Sequence, residues 1–151
     1  MRSFSFGRAN AALMVALLGI ATLAPQRAAA DGALAVGVPK DVAKDGFAYA
    51  YSTGKNDVIA ARREALETCK APGSGKSQQG RDLCSVVGTF TGECVAVAMD
   101  PGAGTPGVGW AIGGTLKIAE SLAIQRCKST AGAGRADYCK IDNSKCDGET
   151  K

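Results

Sequence analysis

"DVIAARREALETCK", residues 57–70, and "TLKIAESLAIQRCK", residues 115–128, read as two versions of one helix. At an offset of 58 they share Ala61/Ala119, Ala65/Ala123, Cys69/Cys127 and Lys70/Lys128. In each, small side chains recur at every fourth position and end on a cysteine, which lines one face of a helix. Asp57 and Thr115 stand where N-caps belong, and Lys70 and Lys128 suit the negative end of the helix dipole. The match continues on both sides of the helix.

Upstream, "GALAVGVPKDVAKDGFAYAY" (32–51) pairs with "ECVAVAMDPGAGTPGVGWAI" (93–112) at an offset of 61. Ala35-Val36 falls on Ala96-Val97, Gly46 on Gly107, Tyr49 on Trp110 and Ala50 on Ala111. Leu34, Val36 and Val38 alternate with Ala35 and Gly37, and Phe47, Tyr49 and Tyr51 alternate with Ala48 and Ala50. Val95, Val97 and Met99, then Val108, Trp110 and Ile112, repeat the pattern. Period two predicts half-buried strands with large side chains on one face and mostly Ala and Gly on the other. A small-residue face lets a helix lie close to the backbone.

Downstream, Cys84 corresponds to Cys139 and Cys94 to Cys146. A third strand is predicted over 84–90 ("CSVVGTF"), with a weak counterpart at "CKI", 139–141. Repeat one spans 32–92 and repeat two 93–146, each β-β-α-β. A single copy of about 60 residues buries little surface. The predicted fold class is therefore α+β, a small disulfide-stapled domain of two pseudo-repeated units sharing one core. The polar residues 147–151 are expected to fray.

Residues 1–30 have a different character. Arg2 and Arg8 precede an apolar stretch, "AALMVALLGIATLA" (11–24), and Ala28-Ala29-Ala30 forms a small-residue cleavage site. This is the layout of a secretory signal peptide, the alternative being a retained N-terminal anchor. No other apolar run is long enough for a membrane span. Of 18 basic and 14 acidic side chains, Arg2, Arg8 and Arg27 leave with the signal and no acid does. The remaining +1 offers no cationic face for nucleic acid.

All six cysteines lie beyond residue 30, and the chain has no His. An even count in a small exported chain reads as disulfides, and no C-x-x-C supplies a redox or zinc motif. Six cysteines allow 15 pairings. The repeat favours Cys69–Cys84, Cys127–Cys139 and Cys94–Cys146, the first two stapling each helix end to its sheet.

"GSGKS" (73–77) suggests a phosphate loop, but Lys70 stands where the first Gly of a Walker motif belongs. A helix rather than a strand precedes it, and "QQGRDLC" after it is a poor helix. It reads as a loop inside the Cys69–Cys84 bridge, so no nucleotide and no cofactor are expected. "MDPGAGTPGVGW" (99–110) places its glycines before a strand, which is not a dinucleotide fingerprint but a turn-rich connector. Trp110 reads as core rather than as a binding anchor. Ser52, Ser85 and Ser121 lack a His to act as base. The carboxylates Asp41, Asp45 and Asp100 lie in strand-connecting loops, where solvation is the ordinary fate of an acid. "DNSKCDG" (142–148) fails as a calcium loop, because Ser144 and Cys146 occupy ligand positions.

Together the A-[VLI]-A-V and G-[FV]-x-[YW]-A strands, the A-x-x-x-A-x-x-x-C helix and its following Cys resemble the bacterial secreted domain-of-unknown-function family 4189. "FAYAYSTGKNDVIAARREALETCK" and "VGWAIGGTLKIAESLAIQRCK" carry most of the likeness, and the insert 71–81 departs from it. The resemblance implies a small exported protein and no catalytic residues. The expected function is an exported non-enzymatic binding module that meets another protein or envelope component, in the periplasm or outside the cell. The alternative is a small envelope hydrolase using Asp41, Asp45 or Asp100.

Overall fold

The computed structural model describes residues 31–72 and 77–148. The expected signal peptide, the Gly73–Lys76 part of the phosphate-loop look-alike and residues 149–151 of the expected tail lie outside the described residues. The first half runs β1 (Asp31–Gly37), α1 (Val42–Asp45), β2 (Ala48–Lys55), α2 (Val58–Lys70), α3 (Gln78–Asp82) and β3 (Ser85–Thr91). The second runs β4 (Cys94–Met99), β5 (Val108–Gly113), α4 (Leu116–Thr130), a 3-10 turn over Ala136–Tyr138, and β6 (Lys140–Cys146). The fold is α+β, with two antiparallel three-stranded sheets ordered β2-β1-β3 and β5-β4-β6. In each, the first strand of its half lies in the centre.

Strand alternation sets the layers. Ala33, Ala35, Ala48 and Ala50 turn to α2, where they bury Ala61, Ala65 and Cys69. Ala96, Ala98 and Ala111 turn to α4 and bury Ala119, Ala123 and Cys127. The opposite faces meet between the sheets, where Leu34, Val36, Phe47, Phe90, Val95 and Val97 form the common core. The order is helix, sheet, sheet, helix, with one shared core and one alanine-rich core private to each half.

That private packing depends on missing side chains. A Cβ at Gly109 would lie 2.8 Å from the Arg126 carbonyl carbon and closer still to Cys127 N and Ala123 O. Asp57 accepts from Ala60 N at 2.7 Å and Thr115 from Ile118 N at 3.3 Å, so both helices carry side-chain N-caps. Cys69 is bonded to Cys84, Cys127 to Cys139 and Cys94 to Cys146.

Four features differ from the sequence reading. "QQGRD" does form a helix, α3, because the Ser77 hydroxyl caps it from Gly80 N at 2.8 Å and Gly80 packs against the backbone of Gly37 and Ala48. β6 is a full seven-residue strand despite its polar sequence, since it pairs with β4 along its length. Val38 lies outside β1 and is 41 % exposed. Asp147 does not fray: it is buried, and its carboxylate accepts from Gly54 N at 2.6 Å and Gly92 N at 3.4 Å. Polar bonds also join β2 to β6, where Tyr49 donates to Asp142 and Tyr51 to Asn143 Oδ1 at 2.7 Å.

Candidate functional site

The connectors β1–β2 and β4–β5 converge at one end of the sandwich. In the first, Asp41 accepts from Lys44 N at 3.1 Å and caps α1, and Gly46 ends that helix at φ 74°. In the second, Asp100 organises the loop. Its carboxylate accepts from Gly102 N at 3.0 Å, while Thr105 donates to the Gly102 carbonyl at 2.7 Å. Arg135 then clamps the Asp100 carboxylate through Nε and Nη2, both at 2.7 Å, and lies 4.3 Å from the Tyr138 ring centroid. This bidentate pair ties the β4–β5 connector to the segment between α4 and β6.

The pair also decides the chemistry of Asp100. Hydrogen bonds from Arg135 hold its carboxyl below the ordinary range, outweighing burial, and the Gly102 N–H adds to the lowering. Arg135 is shifted up in return. An anion held this way has no proton to give near neutrality, and both its oxygens are already bonded. Asp45, expected in a loop, is the last residue of α1 because Asp41 caps a helical turn within the connector, and of the three acids Asp100 borders the recess between the connectors. That recess, about 240 Å³, is walled by Val42, Lys44, Phe47, Met99 and Thr105.

A second recess of about 360 Å³ adjoins it across Val108. Its walls are Val38, Gly109 and Trp110 on one side and Arg126, Ser129 and Thr130 of α4 on the other. Thr130 accepts from Val108 N at 2.9 Å and donates to Val108 O at 2.7 Å, and Arg126 donates to the Trp110 carbonyl. These bonds cover the outer edge of β5. Trp110, expected in the core, divides its surface: it stacks on Phe47 at 6.1 Å and also lines this recess.

The other sequence candidates are dispersed. All six cysteines are bridged. Ser52 is buried and donates to the Ala61 carbonyl at 2.7 Å. Among the described residues no group of three or more His, Cys, Asp or Glu could hold a metal ion. Sequence reasoning missed Arg135 and Arg126. Arg135 lies 35 residues from its partner and carries no local signal. Arg126 was within sight, beside Cys127 in the repeated stretch 115–128, but nothing marked its side chain as reaching β5.

From the second residue of β1 to the last of β6, both sheets and the two helices that carry the bridged Cys69 and Cys127 lie within residues 32–146, where the model of the family Domain of unknown function (DUF4189) matches. The chain belongs to this family. No curated protein and no solved structure matches it. Three disulfides in this DUF4189 domain are consistent with an extracytoplasmic location. Among the described residues no helix is long and apolar enough to cross a membrane.

Proposed function

We propose that this DUF4189 protein is an exported, non-enzymatic binding module of the bacterial envelope or secretome. Its connector end is the face that meets another protein or envelope component. The carrying observation is that Asp100, the one loop acid at the recess, is locked as an anion by Arg135 and a backbone N–H. What remains at this end is shape, apolar surface and cationic rim: two adjoining recesses, Trp110, Lys44 and Arg126. Rigid recesses with a few placed polar groups suit recognition. The disulfides hold them in a domain whose two helix–sheet cores are built largely from alanine. Residues 1–30 supply the export signal that brings the domain to an oxidising compartment.

The test immobilises mature protein and exposes it to envelope extract. Lys44→Glu, at the connector end, should release a retained species that Glu67→Lys, on the exposed side of α2, keeps. Equal retention by both variants would count against the connector end as the binding face.

A further inference from the structure

We infer that the recess between β5 and the end of α4 takes a small apolar compound bearing one carboxylate, with Arg126 as its anion partner. This deepens the binding reading and rests on it. The recess measures about 360 Å³, the space of about twelve liquid waters, and lies within the range of small-ligand sites. Val38, Val108 and Trp110 give it an apolar wall.

Its polar groups are mostly engaged already. Ser129 donates to the Arg126 carbonyl at 2.7 Å, and Thr130 bonds Val108 and the last turn of α4. Arg126 is different. One N–H holds the Trp110 carbonyl, which fixes the guanidinium at the rim. The fork has five donors, and among the described residues no carboxylate is bonded to it. Among the described residues no acid lines the recess. A positioned guanidinium beside an apolar wall matches a planar carboxylate on an apolar body. One cation balances one negative charge, so a monocarboxylate fits better than a doubly charged phosphate.

Trp110 is the only Trp in the chain, so its emission reports on this recess directly. The probe is octanoate, titrated below its micelle concentration into the oxidised mature protein, with octanol as the uncharged control. Octanoate should change Trp110 emission saturably and bind at least about tenfold tighter than octanol, as a charge-assisted pair at a partly enclosed site implies. Arg126→Gln should remove that preference. Val38→Asp, at an exposed loop position that leaves the Arg126–Trp110 bond in place, should weaken octanoate by a similar factor with an unchanged circular dichroism spectrum. No saturable change, or equal octanoate binding by wild type and both variants, overturns the inference. If octanoate fails while Lys44→Glu still releases the envelope species, the ligand class falls alone; if both fail, the binding reading falls with it.

Discussion

The bridge Cys94–Cys146 should contribute more stability than either of the others. It joins register partners at one end of the β4–β6 pair and closes a segment of 52 residues, against 15 for Cys69–Cys84 and 12 for Cys127–Cys139. If a disulfide acts chiefly by restricting the unfolded chain, its effect grows with the logarithm of the loop it closes. Those lengths correspond to about 4 kcal/mol for Cys94–Cys146 and about 3 kcal/mol for each of the others. For a domain whose total stability is about 5–15 kcal/mol, the loss is a large fraction. Cys94→Ala/Cys146→Ala keeps small apolar groups at both sites, so the change reports mainly on the crosslink. Guanidinium unfolding of the three oxidised double variants and the wild type measures the losses. The Cys94/Cys146 pair should be the least stable, by about 1 kcal/mol relative to the Cys127/Cys139 pair. A loss of less than about 1 kcal/mol on removing Cys94–Cys146, or a reversed order among the three pairs, would refute this dependence on loop length.

Three further outcomes follow from particular contacts. The lowered Asp100 carboxyl contributes stability that is complete above the ordinary aspartate range and is lost as pH falls through its depressed folded value; Asp100→Asn should therefore flatten the acid side of a melting-temperature profile while leaving Arg135 without its partner. Gly109→Ala should cost about 1–3 kcal/mol by driving a methyl into the α4 backbone, whereas Gly114→Ala, with nothing within 4 Å, should stay within about 0.5 kcal/mol of wild type in the same unfolding assay. Burial and the Asp142 hydrogen bond raise the Tyr49 phenol, and burial followed by the Asp142 charge raises Tyr51. In Tyr138→Phe, which leaves these two phenols, ultraviolet titration should show both ionising above the ordinary tyrosine value. The stability they add is complete below that value and disappears as pH rises through the folded ones.

The layered fold was legible because its information is local and repeated. Leu34-Ala35-Val36 and Val95-Ala96-Val97 show alternation within three residues, and Ala61, Ala65 and Cys69 mark a helix face within nine. The caps Asp57 and Thr115 act on N–H groups three positions away. What escaped depends on distant partners. β6 has a polar sequence and is a strand because β4 offers it a ladder. Asp147 is held by Gly54 and Gly92, far earlier in the chain. α3 depends on Gly80 meeting Gly37 and Ala48. The candidate site was least legible of all, since Asp100 looks like any loop acid until Arg135 is placed beside it. Trp110 shows the same limit: alternation marked its inward face, and only the position of α4 shows the recess on its other side.

Recognition through the connector end is tested most directly by site-specific photo-crosslinking in intact cells. A benzophenone amino acid replaces Lys44 in one variant and Glu67, on the outer side of α2, in another; both positions are exposed. Position 44 should give a discrete covalent adduct, and position 67 none of that mass. Adducts of equal yield from both positions, or an adduct from position 67 alone, would contradict it.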